Sequence, residues 1–206
     1  MKLSEYYKTT VVLNDSGGGW NGTYYGCFSK IINDNNYKVV AEVGIGYGTH
    51  AKYILNTTNV EKLILIDPTK YYPDDGFATD IMKQTPEVPG NNFNELYELI
   101  NSYLSPWKDR YTWFRTESLN ITDDQVSDKS LDCIFIDGDH RYESVKKDLI
   151  FWWSKLRAGG QLLGDDYWMS GVAQAVHEFA HEMNLQVDFL YKDNSSTYKI
   201  YRFNKL

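Results

Sequence analysis

Two apolar runs, Cys133–Ile136 and Gln161–Leu163, each stop at acidic residues: Asp137 and Asp139 after the first, Asp165 and Asp166 after the second. Carboxylates crowded together repel one another, and an unmatched cluster requires either raised pKa values or a bound cation. Asp137, Asp165 and Asp166 can supply three oxygen ligands to a hard cation and leave positions for water and an acceptor. With carboxylates only and no thiolate, Mg²⁺ is the natural occupant. Two blander readings stand beside this one: Asp165 or Asp166 capping a following helix, and Asp139 as a solvated loop residue. His140 falls three residues after Asp137, beside the expected ion, where a side chain titrating near neutrality suits proton removal. Asp137 or Asp139 is the reserve base, and His50, His177 and His181 read as structural.

A second cluster lies upstream in VVAEVGIGYGTH, which gives Glu42–x–Gly44–x–Gly46–x–Gly48. Glycines after a strand permit a sharp turn and close approach of a ligand to the backbone. A dinucleotide loop requires a third glycine three residues after the second. That position holds Thr49, and the absence of a following Gly-Lys-Ser/Thr excludes a P-loop. An acid two residues before alternating glycines resembles motif I of the class I S-adenosylmethionine-dependent methyltransferases. The resemblance implies that Gly44, Gly46 and Gly48 hold the amino-acid portion of S-adenosylmethionine, with Glu42 near its ammonium group. It implies a ribose-binding role for Asp67, which ends the next strand, and an adenine contact in 116–119 from Glu117 or Ser118. Without the family, Asp67–Pro68 reads as a strand cap.

These residues need elements to carry them. Apolar patterning predicts strands over Tyr37–Val43, Lys62–Ile66, Tyr111–Arg115, Leu131–Ile136 and Gln161–Leu163. Helices are predicted over Thr23–Asn33, Thr49–Asn56, Phe93–Leu104, Tyr142–Leu156 and Ser170–Met183. Gly159–Gly160 reads as the break between the last strand of this series and the helix before it. Strands over Leu185–Tyr191 and Thr197–Phe203 flank the turn DNSS and read as a hairpin. The pattern is α/β: a doubly wound, Rossmann-like, seven-stranded, mostly parallel sheet with an antiparallel C-terminal hairpin. Parallel strands place the glycine loop and both acidic pairs at one edge, where ligands of open α/β sheets gather. Residues 1–206 read as a single domain. Within it, 1–36, with the Gly-rich loop 15–22, forms an N-terminal acceptor or lid segment, and 69–92, with three of the five prolines, an acceptor-side excursion.

Hydrophobic content of 42% and charged content of 24% are ordinary for a globular protein. A net charge of −7 argues against a general nucleic-acid binder. No apolar stretch approaches the roughly 18 residues that span a bilayer, and the start lacks the apolar core of a secretion signal. Cys27 and Cys133 read as two reduced, buried thiols. A cytoplasmic enzyme without membrane association fits, and a homo-oligomer is compatible. With 17 Tyr and 6 Trp, the aromatic-rich loops (Trp20, Tyr24, Tyr25, Tyr71, Tyr72, Tyr167, Trp168) suit stacking against a ring.

The pattern Ile-Asp-Gly-Asp-His-x-Tyr at 136–142, followed by Gly159–Gly160 and Gly164–Asp165–Asp166, resembles the metal-dependent O-methyltransferases of the macrocin/mycinamicin sugar type. It is more distantly similar to the catechol and caffeoyl-CoA enzymes. The resemblance covers about residues 38–190 and implies Mg²⁺ on Asp137, Asp165 and Asp166, with His140 as base. Catechol enzymes have Lys at the base position and Asn as the last ligand, so His and Asp here favour the sugar branch. The implied reaction is methyl transfer from S-adenosylmethionine to one of two neighbouring hydroxyls of a small-molecule or glycan acceptor, a 6-deoxyhexose such as rhamnose. Rival readings are methylation of a catechol-like molecule, a non-catalytic S-adenosylmethionine-binding module, and a metal-assisted hydroxylase-like relative.

Overall fold

The computed structural model describes residues 3–12, 23–70, 94–191 and 199–206. The Gly-rich loop 15–22, most of the 69–92 excursion, and Trp20, Tyr71 and Tyr72 lie outside those residues. In chain order the elements are α1 (Leu3–Tyr6, continued by a π-helical segment Tyr7–Val12), α2 (Thr23–Asp34), β1 (Val39–Val43), α3 (Thr49–Thr57), β2 (Lys62–Ile66) and α4 (Asn94–Leu104). There follow β3 (Tyr111–Phe114), β4 (Leu131–Ile136), α5 (Tyr142–Lys155), β5 (Leu156–Gly164), α6 (Ser170–Glu182), β6 (Asp188–Tyr191) and β7 (Lys199–Asn204).

The seven strands form one sheet in the order β3-β2-β1-β4-β5-β7-β6. β1 pairs in parallel with β2 and β4, β2 with β3, and β4 with β5, while β7 runs antiparallel to both β5 and β6. This is the predicted doubly wound sheet with its antiparallel edge pair. All six residues of β4 and the last four of β1 are buried, as strands covered by helices on both faces must be. Alternation along β1 sends Val40 to one core, with Phe28, Ile54 and Ile100, and Ala41 and Val43 to the other, with Leu149, Trp152, Val176 and Phe179. The inward helical positions Val145, Leu149, Trp152 and Trp153 of α5 are all buried, as the spacing indicated. The N-terminal residues Leu3, Tyr6, Tyr7 and Val11 belong to the first core. Cys133 is buried, Cys27 only half-buried, and desolvation raises both thiols. No helix among the described residues is long and apolar enough to cross a membrane.

The fifth strand departs from the sequence reading. It begins at Leu156, directly after α5, so Gly159–Gly160 lies inside the strand and does not break the helix. The register with β4 shifts between Leu131 and Cys133, and Gly159 adopts φ +77° there. A side chain on Gly160 would come 2.8 Å from the Asp132 carbonyl oxygen. The pair of glycines admits a bulge, which periodicity alone cannot distinguish from a helix stop.

Candidate active site

The order of the sheet reverses between β1 and β4, which opens a crevice at their carboxyl ends. One row of backbone hydrogen bonds fixes the residues just beyond four strands. Asp67 N–H donates to Phe114 O (3.3 Å), Gly44 N–H to Ile66 O (2.9 Å), Asp137 N–H to Val43 O (2.8 Å) and Asp165 N–H to Ile136 O (3.1 Å). Parallel register therefore sets Asp67, the glycine loop, Asp137 and Asp165 side by side.

The glycines differ in what they do. Gly44, at φ +82°, lies so close to the next loop that a Cβ would fall 2.1 Å from Asp137 O. Gly48, at φ +77°, would meet Ile100 Cγ2 at 2.8 Å. A Cβ on Gly46, at φ +50°, would meet nothing within 4 Å among the described residues, so this glycine faces space that a ligand can fill. Beneath the loop Glu42 is 1% exposed. Its Oε1 lies 3.0 Å from His50 Nδ1, and its buried Oε2 has no hydrogen-bond partner among the described residues. A buried carboxylate oxygen left over in this way suits a cationic group of a ligand. Tyr25 stacks on His50 at 4.6 Å and 25°, and its hydroxyl lies 2.8 Å from Thr49 Oγ1.

Asp67 ties the loop to β2: Oδ2 accepts from Ile45 N–H (2.9 Å) and Oδ1 from Thr69 N–H (2.6 Å). Burial pushes its carboxyl pKa up, and these backbone bonds oppose the shift. Thr69 has φ +49°, strained for a β-branched residue, and its buried Oγ1 has no partner among the described residues. In the following loop, Glu117 is exposed and pairs with Lys70. Ser118 donates to Asp148 Oδ1 (2.5 Å) and accepts from Trp152 Nε1–H (2.7 Å), so its hydroxyl is engaged inside the fold.

At the acidic end, Asp137, His140 and Asp166 each present a ligand atom, all within 4.8 Å of one another. His140 Nε2 lies 2.7 Å from Asp166 Oδ2, while Asp166 Oδ1 accepts from Trp168 Nε1–H at 2.8 Å. Asp166 has φ +55°, a backbone strain of the kind found at functional sites. Asp165, only 8% exposed, adjoins Asp166, and the third residue whose ligand atom converges with those of Asp137 and Asp166 is His140. Two carboxylates and an imidazole suit a divalent cation, and the imidazole widens the choice from Mg²⁺ towards Mn²⁺ and softer ions.

Asp139 has a structural task. It accepts from Arg141 N–H (2.9 Å), from the Arg141 guanidinium and from Ser144 Oγ–H (2.7 Å). Burial alone would raise its pKa, but those hydrogen bonds hold it below the ordinary carboxyl range, which makes it a poor proton acceptor. Two further residues escaped the sequence reading. Tyr201 is buried under the cluster, its hydroxyl 2.1 Å from where a Cβ on Gly164 would stand. Burial and the charges of Asp148, Asp137, Asp165 and Asp166 raise its pKa, so it stays protonated. Asp148 sits among the inward positions of α5, and burial pushes its carboxyl up to about 6. An acid in register with Val145, Leu149 and Trp152 was the signal for it.

A switch-point crevice with a glycine loop on one side and carboxylates on the other defines an α/β enzyme of the Rossmann-like methyltransferase kind. Residues 41–167 match the family described as methyltransferase domain, and the chain belongs to that family. No curated protein sequence matches it. Among solved structures, a provisionally assigned caffeoyl-CoA O-methyltransferase from Staphylococcus aureus aligns over 98% of this chain and 95% of its own, with TM-score 0.63 and 14% identity. The O-methyltransferase TomG from Streptomyces achromogenes, solved with S-adenosylmethionine, aligns over 87% and 78%, with TM-score 0.60 and 12% identity. A provisionally assigned rRNA methylase from Clostridium thermocellum aligns over 88% and 94%, with TM-score 0.60 and 13% identity. Identities this low show a shared fold and leave the acceptor open. The chain is thus a methyltransferase.

Proposed function

We propose that this methyltransferase uses S-adenosylmethionine and a divalent cation, Mg²⁺ foremost, to methylate a sugar hydroxyl, that of a 6-deoxyhexose in a glycan or glycoside. The observation that carries this reading is the alignment, along one hydrogen-bonded row, of the loop 44–48 with the Asp137–His140–Asp166 set. On this reading Glu42 Oε2 receives the donor's ammonium group, Gly46 gives its backbone room, and Asp67 accepts from the ribose hydroxyls. Asp137 and Asp166 hold the cation, with Asp165 behind them, and the bound cation lowers the pKa of the acceptor hydroxyl. His140, backed by Asp166, takes the hydroxyl proton. The protein's own contribution is alignment and fixed charge. The sugar-type resemblance of 136–142 and 164–166 supports the acceptor class, and the −7 charge supports an acceptor other than nucleic acid.

A catechol-like acceptor is the second reading, supported by the likeness to the Staphylococcus protein across nearly the whole chain. The discriminating experiment is a methyl-transfer screen with labelled S-adenosylmethionine, presenting methyl glycosides and catechols with Mg²⁺ or with EDTA. Label in a glycoside, only with the cation present, is the expected result. Label in catechols alone selects the second reading, and label transferred fully in chelator removes the cation.

A further inference from the structure

We propose that Trp168 is the stacking platform for the acceptor ring, and that the ring it fits is a pyranoside. The inference deepens the function proposed above and rests on Asp137, His140 and Asp166 being the reacting end of the site. Trp168 is 55% exposed, and no other Trp or Phe among the described residues is classed as exposed. It is nevertheless fixed. Met169 N–H donates to Asp166 O at 2.8 Å, closing a turn in which Trp168 occupies the third position. The indole N–H then binds Asp166 Oδ1 at 2.8 Å, which ties the ring edge to that carboxylate. The other oxygen of the same carboxylate lies 2.7 Å from His140 Nε2. One carboxylate therefore bridges the indole edge and the imidazole, and the indole borders the Asp137–His140–Asp166 set.

Adjacent Tyr167 is already occupied: its hydroxyl lies 2.6 Å from His177 Nε2 and its ring 4.6 Å from Phe189. Trp168 alone of the pair keeps an open face. An indole held by its N–H presents apolar area while losing little further freedom when a ligand arrives. The rim around it is made of carboxylates and an imidazole, which bind ring hydroxyls. One apolar face with a polar rim matches a pyranoside, whose C–H groups lie on one side and whose hydroxyls point outward. An arene has two apolar faces, and the described residues offer a single exposed aromatic here.

The test uses the full chain loaded with S-adenosylhomocysteine, with methyl α-L-rhamnopyranoside and catechol as probes in saturation-transfer NMR, for wild type, Trp168→Ala and Trp168→Phe. Saturation should pass from aromatic protein protons to the C–H protons of the glycoside, vanish in Trp168→Ala and survive in Trp168→Phe, which keeps a ring but lacks the N–H. In turnover, Trp168→Ala should raise the KM for the glycoside about tenfold, the scale of one aromatic contact, with S-adenosylmethionine affinity unchanged. Equal losses in both variants would assign Trp168 to holding Asp166 and overturn the platform. Catechol contact that depends on Trp168, with no glycoside contact, would overturn the pyranoside assignment. Glycoside bound through Trp168 but never methylated would sink the function proposed above and leave the platform standing. Undiminished glycoside methylation in Trp168→Ala would do the reverse.

Discussion

His140 Nε2 lies 2.7 Å from Asp166 Oδ2, across two loops that leave adjacent strands. On the proposed function this pair is where the base meets the cation's ligands, since Asp166 would serve both. An imidazole in this position either accepts the acceptor's proton or joins Asp137 and Asp166 as a ligand, and the two roles differ in what a truncation removes.

His140→Ala should lower kcat by about a hundredfold or more, the scale of a lost general base. Isothermal titration should meanwhile find S-adenosylmethionine and Mn²⁺ affinities within a few fold of wild type. A tenfold loss of Mn²⁺ affinity would reassign His140 as a ligand, and a near-normal kcat would make it structural.

Asp137→Ala and Asp166→Ala should each weaken Mn²⁺ binding at least tenfold, read by the electron paramagnetic resonance signal of free Mn²⁺. Asp165→Asn should weaken it less, because Asp165 is buried beside Asp137 and Asp166 and offers no ligand atom among those that converge there. An Asp165 effect equal to that of Asp137 would restore the all-carboxylate ligand set.

Gly44 and Gly46 should fail in different ways. Gly44→Ala drives a Cβ to 2.1 Å from backbone at φ +82° and should cost about 2–4 kcal/mol of stability. Gly46→Ala, at φ +50° with nothing among the described residues within 4 Å, should cost only about 1 kcal/mol yet weaken S-adenosylmethionine binding, because on the proposed function its methyl enters the donor's space. Urea melts and titration calorimetry on both variants separate the effects. Equal stability losses would show that the loop has no asymmetry between wall and floor.

The strands were legible because apolar runs such as Leu131–Ile136 and Lys62–Ile66 are short, β-branched and closed by acids or Asp-Pro. The glycine loop was legible because its spacing excludes two common phosphate loops. What escaped has a common cause: contacts between segments distant in sequence. Nothing near Ser118 points to Asp148, thirty residues on. Tyr201 enters the site only because β7 inserts antiparallel beside β5 and Gly164 leaves room for its ring. The bulge at Gly159–Gly160 was misread because a helix stop and a strand bulge use the same residue type for the same reason, freedom at positive φ.

Asp148 gives the fold a measurable pH signature. Its carboxyl moves from 3.8 to about 6, chiefly through burial, with the Ser118 hydrogen bond opposing and the Asp139 charge adding. Between those two pH values the folded chain holds a proton that the unfolded chain has released. The contribution to stability is therefore full below about pH 4, falls as pH rises, and is gone above about pH 6. A raised pKa of this size corresponds to roughly 3 kcal/mol. Asp148→Asn cannot ionise, and its amide oxygen still accepts from Ser118, so the gap in stability between variant and wild type should widen in the variant's favour by roughly 2 kcal/mol from about pH 4.5 to about pH 7.5, the remainder having been lost below that range. Urea unfolding of both proteins at the two pH values reads that gap directly. A gap that stays constant would show that Asp148 ionises in the folded protein as it does in the unfolded chain.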